Sequence, residues 1–163
     1  MCLLAFHWQP GSELPLQVWA NRDEFLARPA QATHWWPESP TVLAGRDLQG
    51  GGTWMGVTLQ GRFAALTNVR DPSMPAAARS RGELAAAYLR GDVSAATFAQ
   101  QVQRDRKQYG GFNLLLADAE QPPLSSSSVV GHVSVYVPMK GLIDPKAELG
   151  RLQKDWDKVQ KQH

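Results

Sequence analysis

The residues whose types could carry covalent chemistry are Cys2 and the run Asn21-Arg22-Asp23-Glu24. If the initiator Met1 is removed, Cys2 becomes the amino terminus. Its own α-amine, titrating near ~7.7–8.0, can then serve as the general base for the thiol. A guanidinium beside the sulfur would lower the thiol pKa and raise the thiolate fraction. Arg22 is the candidate cation and Asp23 the orienting carboxylate, while the side-chain amides of Asn21, Asn68 and Asn113 are candidates to stabilise a tetrahedral oxyanion. The chemistry would be attack by the thiolate through a tetrahedral oxyanion. The alternative keeps Cys2 as a small apolar strand residue and residues 21–24 as a polar turn that ends a strand. Four consecutive polar side chains cannot all enter a core unpaired. They face solvent, or Asn21, Arg22 and Asp23 pair as a self-contained network in a cleft.

Positioning these groups is the work of the elements around them. Residues 2–8 form an apolar run that reads as a buried strand, Gln9-Pro10-Gly11-Ser12 is a turn signal, and Leu14 to Ala20 is a second strand. Paired as a hairpin, the two strands would bring Arg22 and Asp23 near Cys2. Pro29, Pro37 and Pro40 break residues 29–41 into an expected loop, in which Trp35-Trp36 anchors to a core edge. Thr53 to Leu59 and Arg62 to Asn68 flank Gln60-Gly61 and predict a β-hairpin. Gly50-Gly51-Gly52 precedes a strand, not a helix, so it serves tight turning or close backbone approach and is not a phosphate cradle. Ser80-Arg81-Gly82-Glu83 has capping-box spacing before a short helix ending at Gly91. Ser94 caps a second helix with Ala95, Phe98, Val102 and Tyr109 on one face, and Phe112 to Asp118 is a strand containing Asn113.

Pro122, Pro123 and the serines 125–128 make a linker at 121–130. Beyond it His132 to Val137 alternates as a strand. Asp144-Pro145 then opens a helix carrying the stripe Leu149, Leu152, Trp156 and Val159. The 163 residues suffice for one domain, and the net charge of +2 arises entirely after residue 128. That excess is too weak to argue nucleic-acid binding by itself. The single cysteine excludes an internal disulfide and any multi-cysteine metal site. No apolar run has the length of a membrane span and the amino terminus lacks a secretory leader, so a cytoplasmic location is expected. No cofactor is expected. His7 and His34 are isolated and read as structural, with non-enzymatic handling of haem or a lipid-like ligand the alternative.

The motifs together resemble the NRDE, or Transport-and-Golgi-organisation, family. They are Met1-Cys2, Ala20-Asn21-Arg22-Asp23-Glu24-Phe25 with Arg28-Pro29, Gly51-Gly52-Thr53-Trp54-Met55-Gly56, Ala64-Ala65-Leu66-Thr67-Asn68, Arg81-Gly82-Glu83-Leu84 and Tyr109-Gly110-Gly111-Phe112-Asn113-Leu114-Leu115. The resemblance implies an α+β fold of the N-terminal-nucleophile (Ntn) hydrolase kind, an α-β-β-α sandwich, with Cys2 as nucleophile beside Arg22 and Asp23. It covers residues 1–120 as an amino-terminal half-domain, and the family's later motifs have no counterpart here, so an incomplete and inactive site is one expectation. Residues 131–163 form a strand-helix appendage, and 131–160 resemble the start of the valyl-tRNA synthetase C-terminal arm. The implied partners are a small-molecule amide and, through the tail, tRNA. An uncovered apolar sheet face would favour self-association.

Overall fold

The computed structural model describes residues 3–9, 16–69, 77–120, 130–137 and 141–143. Cys2, the turn around Pro10, the loop around Pro72, the serine-rich linker and the tail helix expected after Asp144 lie outside these residues. Strands β1 (Leu3–Trp8) and β2 (Leu16–Asn21) pair antiparallel as expected, with Leu3 opposite Asn21 and Ala5 opposite Trp19. A second sheet contains β3 (Ala30–Trp36), β4 (Ser39–Asp47), β5 (Met55–Thr58), β6 (Phe63–Asn68) and β7 (Phe112–Glu120). It is extended by β8 (Val130–Val137) and β9 (Gly141–Ile143), and every neighbouring pair is antiparallel in chain order. Helices α1 (Gly82–Arg90) and α2 (Ala95–Asp105) connect β6 to β7.

The reason β6 and β7 read as continuous apolar runs is that both of their faces are covered. Ala64, Leu66, Leu114 and Leu116 pack against Leu84, Tyr88, Leu89, Phe98 and Val102 of the two helices. The alternate positions Phe63, Ala65, Leu115 and Ala117 pack against Leu4, Phe6, Trp8, Leu16 and Val18 of the β1–β2 hairpin. The layers are therefore α-β-β. Among the described residues both helices pack on the same face of the large sheet, and no second helical layer covers the hairpin.

The expected loop at 29–41 is instead β3 and the start of β4. Proline does not prevent this, because β3 is an edge strand, Pro29 precedes it and Pro37 sits in the turn that follows. Trp36 is fully buried and its indole N–H donates to the carbonyl of Ala44, whereas Trp35 points outward. The capping box is also absent: α1 has Arg81 at its N-cap with no side-chain cap, and Glu83 instead accepts from Tyr109 and pairs with Arg79. Ser94 does cap α2, accepting from the Thr97 N–H at 3.2 Å.

Tyr88 ties the helical layer to the sheet. Its ring meets Phe98 at 5.3 Å and the Arg62 guanidinium at 3.9 Å, while its hydroxyl donates to the Ala117 carbonyl at 3.0 Å. Burial pushes the phenol pKa up, so it stays a neutral donor. Tyr88→Phe is expected to destabilise the fold by about 1–2 kcal/mol, because a buried hydrogen bond to the Ala117 carbonyl is lost without a change in shape. Urea unfolding measures this, and a change within error of zero would contradict the assigned bond.

Candidate functional site

The segment leaving β2 turns back on itself, with the Arg28 N–H donating to the Phe25 carbonyl at 2.9 Å. This turn places Glu24 between two guanidiniums, 3.3 Å from Arg22 and 3.7 Å from Arg28, at helix-like i,i+4 spacing for the latter. Arg28 continues to Asp47 at the end of β4, donating through Nε at 3.1 Å and Nη2 at 2.7 Å to the same oxygen. The other Asp47 oxygen accepts the N–H groups of Gln49 and Gly50 at 3.0 and 3.1 Å. One carboxylate thus holds both the Arg28 segment and the glycine loop.

The glycine loop is then laid against the start of α1. Gly51 has φ of 73°, a conformation that glycine adopts without strain. A Cβ on Gly52 would collide with the Gly82 carbonyl and sit 2.7 Å from the Glu83 nitrogen, and the Thr53 N–H donates to the Gly82 carbonyl at 3.1 Å. Close approach is therefore the use of this glycine, as expected from the sequence. Arg81, just before α1, reaches across to the Gly111 carbonyl at 2.7 Å.

These contacts enclose a cleft of about 110 Å³ lined by Arg22, Glu24, Arg28, Asp47, Asn68 and Arg81, with Thr53, Trp54, Leu66, Ser80 and Gly82 completing the wall. Three guanidiniums face two carboxylates, an excess of one positive charge. Burial pushes the Asp47 carboxyl up, but hydrogen bonds from Arg28 and from the two loop N–H groups outweigh it and hold the group below the usual carboxylate range. The Arg28 pKa is raised by its bond to Asp47. Burial lowers the Arg81 pKa and repulsion from Arg28 adds to this, together outweighing attraction to Glu24, although arginine remains charged.

Of the residues singled out from the sequence, Arg22 and Asn68 line the cleft together. Asn21 ends β2 opposite Leu3 and does not line it, and neither does the exposed Asp23. Arg22 pairs with Glu24, the carboxylate after Asp23, at 3.3 Å. Asn113 donates to the Thr67 hydroxyl at 3.0 Å, and by strand alternation both lie on the sheet face opposite Leu66 and Asn68. His34 sits with Nδ1 2.8 Å from the Ala32 carbonyl. No cluster of three metal-ligating side chains occurs among the described residues, and no helix among them is long and apolar enough to cross a membrane.

Arg28, Asp47 and Arg81 were not singled out for the site by sequence reasoning, and Glu24 only as a member of the polar run without a role of its own. The Glu24/Arg28 spacing and an aspartate shortly before a glycine run were the available signals, since aspartate there caps following N–H groups.

Comparison with known proteins adds the family. The family model described as Transport and Golgi organisation 2 matches residues 1–162, past residue 120 where the motifs end. The Transport and Golgi organization protein 2 homolog of Bos taurus is 36% identical over 152 residues, covering 89% of this chain and 52% of the relative. The Homo sapiens homolog is 35% identical over the same lengths. A 48-residue segment, 29% of the chain, is 88% identical to valine–tRNA ligase of Acinetobacter baylyi and covers 5% of that enzyme. The chain spans about half the length of the curated Transport and Golgi organization relatives it matches. With the model matching nearly every residue, the chain belongs to the Transport and Golgi organisation 2 family.

Proposed function

We propose that this chain carries the nucleophile half of a cysteine amidohydrolase site of the Ntn type, cleaving C–N bonds with Cys2. The observation that carries the reading is the register of the first hairpin. Leu3 pairs with Asn21, and the next residue, Arg22, enters the cleft. Cys2 precedes Leu3 by one peptide bond, so the sulfur would act at this end of the hairpin. The stacking of the hairpin on a larger sheet backed by helices supports the same reading.

In this mechanism the α-amine of Cys2 accepts the thiol proton and the thiolate attacks the amide carbonyl carbon. The resulting oxyanion is met by the Asn68 amide, which lines the cleft. The C–N bond breaks as the protonated α-amine returns its proton to the leaving nitrogen. Water then adds to the thioester, releasing a carboxylic acid and the free thiol. Arg22, held by Glu24 at 3.3 Å, is the cation that would lower the thiol pKa.

The test is intact mass combined with acylation by p-nitrophenyl acetate. The expected result is loss of Met1 and one acetyl group on Cys2, with acylation at least tenfold slower in Arg22→Ala, on the order of one pKa unit of thiolate activation. Retained Met1, or equal acylation of the variant, overturns the proposal.

A further inference from the structure

We infer that the cleft binds a free carboxylate through Arg81, so that the substrate is an amide that also carries a monoanionic carboxylate. The word substrate rests on the hydrolase reading above; the anion site rests on the cleft alone. Two of its guanidiniums are already matched, Arg22 by Glu24 at 3.3 Å and Arg28 by Asp47 at 2.7 Å. Arg81 gives an N–H to the Gly111 carbonyl, and among the described residues no carboxylate pairs with it. An arginine has five N–H donors in a fork that matches a carboxylate in two parallel bonds.

A part-buried cation without a hydrogen-bonded carboxylate is costly, and here burial and Arg28 disfavour its charge while Glu24 offsets this only in part. A ligand carboxylate removes that cost. The excess of one positive charge suits a monoanion and leaves a phosphate dianion unbalanced. Ser80 and Asn68 line the same cleft and can complete the carboxylate's hydrogen bonds. About 110 Å³ holds several waters' worth of volume, enough for a carboxylate and a few further atoms.

The experiment titrates the full chain with N-acetylglycine and, separately, N-acetylglycinamide, following the Trp54 indole and Asn68 amide signals by NMR. The carboxylate is expected to bind at least tenfold more tightly than its amide. Arg81→Gln is expected to abolish that preference. Arg79→Gln, whose arginine pairs with Glu83 and does not line the cleft, is expected to retain it. Equal affinity of the two probes for the unmodified chain, including no binding of either, overturns the inference without recourse to a variant. Inorganic phosphate binding more tightly than N-acetylglycine at these signals also overturns it. Acylation of Cys2, measured on the same samples, separates the two claims. Carboxylate preference without acylation sinks the hydrolase and leaves the anion site; acylation without preference does the reverse.

Discussion

Gly52→Ala is expected to lower stability by about 3 kcal/mol or more, the upper end of what overpacking costs. The added Cβ would meet the Gly82 carbonyl carbon and oxygen and the Glu83 nitrogen. All three are backbone atoms at the start of α1, and no rotamer change can move them aside. Relief requires the glycine loop to withdraw from the helix, which breaks the bond from Thr53 N–H to Gly82 and opens the wall of the cleft. Gly51→Ala, one residue earlier, is the comparison. Nothing lies within 4 Å of a Cβ there, so only the left-handed backbone resists, at about 1–2 kcal/mol. Urea unfolding of both variants measures the difference. A cost for Gly52→Ala no greater than for Gly51→Ala would show that the loop does not rest on α1.

Asp47→Asn is expected to destabilise by about 2–3 kcal/mol, less than a fully buried pair because the carboxylate is 15% exposed. Asparagine can still accept from the Gln49 and Gly50 N–H groups, but its amide N–H₂ would face the Arg28 donors. The pH dependence has a definite sign. Asp47 is held below its ordinary value in the folded chain, so its contribution is present above the unfolded pKa near ~3.9. That contribution disappears as pH falls through the folded pKa. Unfolding free energy of the parent should therefore decline from roughly pH 4 downward more steeply than that of Asp47→Asn. Parallel acid limbs would mean that the Arg28–Asp47 pair contributes nothing.

The two variants act on the same joint from opposite sides. Asp47 draws the Arg28 segment and the glycine loop together, and Gly52 lets the loop lie flat on α1. The candidate site depends on both, because Arg22 and Arg28 come from the segment that one carboxylate anchors and Arg81 from the helix start that the loop contacts.

The first hairpin, the β5–β6 hairpin, both helices and the β7 strand were legible in the sequence, because each is specified by local signals. These are apolar runs, a glycine turn, a serine cap and a helical apolar stripe. The strands at 30–47 were not, since proline spacing argues for a loop unless the strand is known to lie at a sheet edge. Likewise the sequence offers Cys2, Asn21, Arg22, Asp23, Asn68 and Asn113 as site candidates, but chain order could not say which carboxylate would meet which guanidinium. Glu24 meets Arg22, and Asp47 reaches Arg28 from 19 residues away. Nor could it say that Asn113 would be drawn to Thr67 on the opposite face of the sheet. Local pattern determines where strands and helices form, because propensity and burial act over a few neighbouring residues. The partners of a charge are decided by which segments the packed layers bring within a few ångströms, and only the tertiary structure supplies that.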